Sequence, residues 1–201
     1  MDNFVIRKNT KPLSKNKAIN IYTDGACSNN GKSDARAGYG IWFGEEDVRN
    51  TNESFTGPQT NNRAELLAII KALTIMRDEI EKGQKINIYT DSTYSIRCCT
   101  TYGEKMSKKN WVMKGKDIPN RELVEVAYNF CKKYSYIDFI HIAAHTGLTD
   151  EHSIGNDHAD RLANLSIGVT SCPYQRIKSK IYLNVPYDEK DEAKKMGAKW
   201  D

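Results

Sequence analysis

Two periods organise the apolar positions of this chain. Short β-prone runs at residues 19–24 (INIYTD), 37–43 (AGYGIWF), 51–56 (TNESFT), 86–91 (INIYTD) and 136–143 (YIDFIHIA) predict strands. Glu45, Glu46 and Asp47 separate the second run from the third, which suits an antiparallel hairpin. Helical spacing governs the rest. Leu66, Ile69, Ile70, Leu73 and Met76 form one stripe, Ile80 extends it and Gly83 stops it, so a helix opens at residues 60–65 and runs to that glycine. A short helix is expected over 92–101. Another covers 120–134 with Leu123, Val124, Ala127 and Phe130 inward, and a last one covers 155–167 with Ala159, Leu162 and Ala163 inward. The order strand, hairpin, helix, strand, helix, helix, strand, helix is that of an α/β domain.

The two copies of INIYTD are identical, and each ends in an aspartate before a small residue, Gly25 or Ser92. Two like strands joined through a helix are expected to be parallel neighbours, with Asp24 and Asp91 emerging together at the sheet edge where α/β proteins gather ligands. Two turn-capping aspartates are the competing reading. Glu65, early in the crossover helix, and Asp160, in the last helix, can join them. Four carboxylates packed together repel, and burial raises the cost. Divalent cations relieve it, and all-oxygen ligands suit Mg²⁺ or Mn²⁺ rather than zinc. Two such ions about 4 Å apart can clamp a phosphodiester.

Composition narrows the classes. With 201 residues, 39% apolar and 28% charged, the chain has room for one globular domain of about 150 residues plus appendages. No apolar run is long enough for a membrane span, and residues 1–17 lack a signal core, so an intracellular protein is expected. Five cysteines without a CxxC pair point to reduced thiols rather than a disulfide framework or zinc site. A zinc site from His141, His145, His152 and His158 is likewise not expected. The formal net charge of +4 is matched by residues 1–17, with five basic residues and Asp2, so the remaining 184 are neutral overall. Between Arg97 and Arg121, however, seven basic residues meet two acidic ones, interleaved with Tyr94, Tyr102 and Trp111. That mixture suits a nucleic-acid surface; the alternative is a solvated lysine face over ordinary core aromatics.

The blocks TDGACSNNG (23–31), TNNRAEL (60–66), YTDSTY (89–94) and AHTG…GNDHADRLAN (144–164) together resemble the cellular type 1 ribonuclease H family, over residues 18–168, about three quarters of the chain. The resemblance implies a mixed five-stranded sheet flanked by helices. It implies an endonuclease that cuts the RNA strand of RNA/DNA hybrids with two metal ions, Mg²⁺ or alternatively Mn²⁺, leaving 5′-phosphate and 3′-hydroxyl ends. Asp24, Glu65, Asp91 and Asp160 fall on its metal-binding carboxylates, with Asp157 in reserve, and His145 on its mobile histidine. Asn30, Asn61 and Asn62 match positions that touch RNA 2′-hydroxyls or the minor groove. Tyr94 and Tyr102 match the DNA-strand channel, and Thr60 and Asn120 a DNA-phosphate pocket. As plain residues these are equally caps, turns or core.

Departures accompany the match. Pro58 stands where relatives often carry an arginine in the phosphate pocket, and Met106 where a channel tryptophan is frequent. His145 and Asp160 are fifteen residues apart, about five more than the family pattern, with the insertion placed near residues 149–153 and containing His152. The expected organisation is a basic flexible tail (1–17), catalytic domain (18–168), linker (169–180) and a strand–helix piece (181–201). That last piece resembles part of an accessory module seen in primase-like DNA-processing proteins, its usual final strand absent. No N-terminal hybrid-binding module is expected. A monomer is anticipated, with the last piece open to self-association. Two other readings remain: a hybrid-binding module without activity, which would need a lost carboxylate, and a DNA-cutting nuclease of the same fold, against which the asparagines argue.

Overall fold

The computed structural model describes residues 5–6, 17–144 and 150–170. Its elements are β1 (Val5–Ile6), β2 (Ile19–Ser28), β3 (Arg36–Trp42), β4 (Thr51–Ser54), α1 (Asn61–Ile75), α2 (Arg77–Glu81), β5 (Ile86–Thr90), α3 (Thr93–Cys99), α4 (Thr101–Ser107), β6 (Val112–Met113), β7 (Lys116–Asp117), α5 (Arg121–Lys133), β8 (Ile137–His141) and α6 (Glu151–Ser166). The large sheet runs β1-β8-β5-β2-β3-β4. Its five longer strands are the expected mixed sheet, with β2, β5 and β8 parallel and β3 and β4 antiparallel. A two-residue strand from the N-terminal segment is added at the edge, antiparallel to β8.

The hexapeptide repeat pairs with itself in register. Ile19, Asn20, Ile21 and Tyr22 lie opposite Ile86, Asn87, Ile88 and Tyr89. Asn87 donates its side-chain amide to Asn20 Oδ1 (2.9 Å), and the two tyrosine rings stack at 5.0 Å. Alternation along the strands divides the core. Ile21, Ile41, Ile86, Ile88 and Phe139 pack with Leu66, Ile69, Leu73, Val124 and Ala127 of α1 and α5. Tyr22, Tyr89 and Ile142 form a separate cluster with Ala159 of α6. The α6 backbone rests directly on β3: a Cβ at Gly40 would lie 2.1 Å from Ala159 O. Glycine there sets how closely helix and sheet approach.

Several boundaries differ from the periodic reading. The 60–80 helix is two, broken at Met76 (φ −91°, ψ 10°), yet Met76 and Ile80 are both fully buried, so the apolar stripe continues across the break. Thr100 (φ −127°, ψ −107°) likewise separates α3 from α4, its hydroxyl donating to Ile96 O at 2.6 Å. The small β6–β7 hairpin, unmarked by any alternation, depends on positive φ at Asn110, Trp111, Lys114 and Gly115. Helix α6 opens at Glu151, four residues earlier than expected, because Asp150 caps it by accepting from His152 N (3.1 Å) and Ser153 N (3.2 Å). Residues 150–153 are therefore cap and first turn rather than loop. The remainder of the 1–16 tail, and everything expected beyond residue 170, lie outside the described residues.

Candidate active site

Asp24 does not end its strand. Parallel pairing of β2 with β5 stops at Tyr22, but antiparallel pairing with β3 continues to Ser28, so Asp24 sits within β2, two residues past the last β5 partner. Asp91 is the first residue after β5. Glu65 is in the second turn of α1, and Gly25 brings that turn onto β2. A Cβ at Gly25 would stand 2.4 Å from Glu65 N and 2.8 Å from Ala64 C. One oxygen from each of Asp24, Glu65 and Asp91 falls within 4.8 Å of the others. Asp24 and Glu65 are buried, and Asp91 is partly so.

The electrostatics are those of an under-compensated anion cluster. Burial, then Glu65, Asp91 and Asp160, push the Asp24 carboxyl well above the ordinary range; the Gly25 amide opposes them. Burial and then Asp91 push Glu65 up in the same way, opposed by hydrogen bonds from Gly25, Asn61 and Asp24. Asn61 Nδ2 donates to Glu65 Oε1 at 3.3 Å, whereas Glu65 Oε2 is buried with no hydrogen-bond partner among the described residues. Asp160 on α6 is close enough to act on Asp24, its carboxylate held by Asn164 Nδ2 at 2.9 Å. Asp157, the reserve candidate, is exposed. His145 lies outside the described residues.

An aromatic cluster that no sequence pattern marks lies beside this centre. His152 stacks on Tyr89 (4.2 Å, 15°), with its Nδ1 3.0 Å from Tyr22 Oη and its Nε2 3.4 Å from Tyr89 Oη. The two repeat tyrosines, each two residues before an active-site aspartate, thus hold the first turn of α6. His141 Nε2 donates to the Asp91 carbonyl (3.1 Å), fixing the residue from the neighbouring strand.

The other expected residues are dispersed around this centre. Thr60 caps α1, accepting from Arg63 N. Asn62 and Asn30 are exposed, and Cys27 Sγ donates weakly to Asn30 Oδ1 (3.7 Å). Asn120 Nδ2 donates to Tyr94 Oη (3.0 Å), and Tyr94 and Tyr102 pack half-buried against the main core. Trp111 belongs to the core, 6% exposed and edge-on to Tyr128, so it is not a surface ring; Met106, 1% exposed, is equally withdrawn from any channel. Arg97, Lys105, Lys108, Lys109, Lys114 and Lys116 are exposed. Arg63 has no expected role although it stands inside TNNRAEL; its spacing of three from the Thr60 cap was the available signal. Cys27, Cys98, Cys99 and Cys131 are free thiols, and no described helix is long and apolar enough to cross a membrane.

A mixed α/β sheet that crowds carboxylates from adjacent parallel strands and a crossover helix defines an α/β domain with an acidic cluster able to hold a metal ion. Comparison with known proteins narrows the class. The RNase H family model matches residues 16–167, and the chain belongs to that family. It is 36% identical to ribonuclease H1 of Mus musculus over 148 residues, 73% of this chain and 49% of that protein. It is 33% identical to ribonuclease H of Clostridium botulinum (strain Hall) over 152 residues, 74% of this chain and 94% of the relative. The chain thus spans about half the length of the mouse relative. The fold is shared with the crystal structure of LC11-RNase H1 in complex with RNA/DNA hybrid, at a TM-score of 0.51 and 23% identity, covering 74% of this chain and 96% of that one. Residues 180–201 match a domain of unknown function (DUF5710), which lends no support to a primase-like role.

Proposed function

We propose that this protein is a metal-dependent endoribonuclease that hydrolyses the RNA strand of RNA/DNA hybrids, leaving 5′-phosphate and 3′-hydroxyl ends. The observation that carries the reading is the triad of buried Asp24 and Glu65 with partly buried Asp91, and Asp160 beside it. The donor set fits hard divalent cations. It is all carboxylate oxygen, it is paired with no lysine or arginine at Asp24 or Glu65 among the described residues, and it leaves Glu65 Oε2 buried and unsatisfied. Asp24, Glu65, Asp91 and Asp160 would hold two Mg²⁺ ions, or Mn²⁺ in their place; when bound, the ions supply charge neutralisation and activation of water at the scissile phosphate.

The chain's own residues position and select. Asn61 and the Gly25 amide orient the Glu65 carboxylate, and Asn164 orients that of Asp160. Asn30, Asn61 and Asn62 read 2′-hydroxyls, which both donate and accept, on the RNA strand. Tyr94 and Tyr102 face the deoxyribose strand, and Thr60 and Asn120 receive one of its phosphates. His145 assists proton transfer and product release. The domain works as an intracellular monomer, with residues 181–201 an accessory segment that can bring about self-association. Family membership and the structural relative solved on an RNA/DNA hybrid favour this substrate.

A substrate panel tests the reading. Labelled hybrid, duplex DNA and duplex RNA are incubated with Mg²⁺ and Mn²⁺. Cleavage confined to the RNA strand of the hybrid is expected. Cleavage of duplex DNA would indicate an integrase- or resolvase-type nuclease, and hybrid binding without turnover a binding module; either overturns the proposal.

A further inference from the structure

Arg63 lies one turn beyond the Thr60 cap of α1, and its side chain is only 12% exposed. Its Nη1 donates to Glu122 Oε1 (2.5 Å) and to Asn120 Oδ1 (3.3 Å), while its Nε is buried with no partner among the described residues. Asn120 occupies the N-cap position of α5 in the left-handed region (φ 55°), yet its side chain does not cap the helix. It is spent instead on Arg63 and on Tyr94 Oη. Side chains from α1, α3 and the start of α5 therefore converge on one withdrawn guanidinium. Its counter-charge among the described residues, Glu122, is on the rim, with 62% of its side chain exposed.

A strained, non-capping asparagine and a buried arginine opposite a solvated glutamate form a poor device for stability. An ion pair open to water on one side contributes little to stability. They form a good device for exchanging one anion for another. Guanidinium binds phosphate through two parallel hydrogen bonds, and the Asn120 amide and Tyr94 hydroxyl stand ready beside it. Pro58, exposed and uncharged, supplies no cation to this region.

We propose that Arg63 is the cation that grips a backbone phosphate of the DNA strand, and that Glu122 holds its place in the free protein and is displaced on binding. The inference rests on the hybrid-nuclease reading above and adds the residue that carries charge and the one that competes with it. Arg63 is thus a binding residue, and Glu122 an internal substitute for the phosphate.

The two substitutions must move affinity in opposite directions. In the full-length Asp91→Asn protein, used to prevent turnover, hybrid binding is followed by fluorescence anisotropy across a salt series. Arg63→Gln is expected to weaken binding about tenfold or more and to lower the magnitude of the salt slope by about 0.9, one phosphate contact. Glu122→Gln is expected to tighten binding about two- to fivefold, a gain that disappears in the Arg63→Gln background. A methylphosphonate scan of the DNA strand should reproduce the Arg63→Gln loss at one linkage, and further loss there in the Arg63→Gln protein should be absent. A merely structural ion pair predicts the contrary sign for Glu122→Gln, since both variants would then loosen the α1–α5 contact. Weaker or unchanged binding by Glu122→Gln, or a methylphosphonate effect confined to the RNA strand, overturns the inference while leaving the nuclease reading intact. Failure of the Asp91→Asn parent to bind hybrid at all would overturn that reading first.

Discussion

Replacing Asp24 by asparagine should stabilise the protein when no divalent cation is present. The substitution is nearly isosteric, retains an acceptor for the Gly25 amide and removes one charge from a cluster whose oxygens lie within 4.8 Å of one another. At an effective dielectric constant near 20, two unit charges at that separation repel by about 3.5 kcal/mol. Partial protonation already relieves some of this in the native protein, so a net gain of about 1–3 kcal/mol is expected. The sign with pH follows from the raised carboxyls. Because Asp24 and Glu65 bind protons more readily folded than unfolded, the folded state is favoured at low pH, and that advantage is lost as pH rises through their raised folded values. The gain from Asp24→Asn should therefore be smallest at acid pH and grow as pH rises through the raised folded values. Urea unfolding with a chelator measures it as a shift in midpoint at unchanged slope. Added Mg²⁺ should raise the Tm of the native sequence and move the variant much less. A lower midpoint for Asp24→Asn at the higher pH, or a gain that does not depend on pH, would refute the reasoning.

Other substitutions probe the scaffold that builds the cluster. Gly25→Ala places a methyl group against the Glu65 amide and should cost about 1–3 kcal/mol in urea unfolding while reducing the stabilisation conferred by Mg²⁺. Tyr22→Phe removes the hydroxyl beside His152 Nδ1 and should cost about 1–2 kcal/mol, read as a lower Tm with the secondary structure by circular dichroism unchanged. His152→Ala, which also gives up the stack on Tyr89, should cost more than Tyr22→Phe, and the double variant should show non-additivity because both act on one contact.

The architecture was legible where local pattern and tertiary need agreed. The INIYTD repeat announced two like strands, and they pair residue for residue. Asp24, Glu65 and Asp91 were recognisable because the two aspartates close the copies of the repeat and Glu65 stands in the block that opens the crossover helix, and the fold brings those three points together. Legibility failed where tertiary contacts decided the outcome. Pairing with β3 carries β2 past Asp24, which no property of Gly25 to Ser28 announces. Met76 breaks a helix without interrupting its apolar stripe. The β6–β7 hairpin depends on positive φ at residues such as Trp111 and Lys114, which carry no turn signal. The aromatic and basic mixture between Arg97 and Arg121 divided: the lysines are surface, but Trp111 is core. His152 read as loop because its partners, Tyr22 and Tyr89, are far away in sequence.

The central claim is that the Asp24–Glu65–Asp91 cluster drives RNA-strand hydrolysis, and a comparison of binding with turnover tests it most directly. Asp91→Asn, with its fold checked by circular dichroism, should bind a labelled RNA/DNA hybrid as the native sequence does while losing more than about a hundredfold in Mg²⁺-dependent cleavage of the RNA strand. Cleavage persisting at the native rate in a folded Asp91→Asn protein would contradict the account.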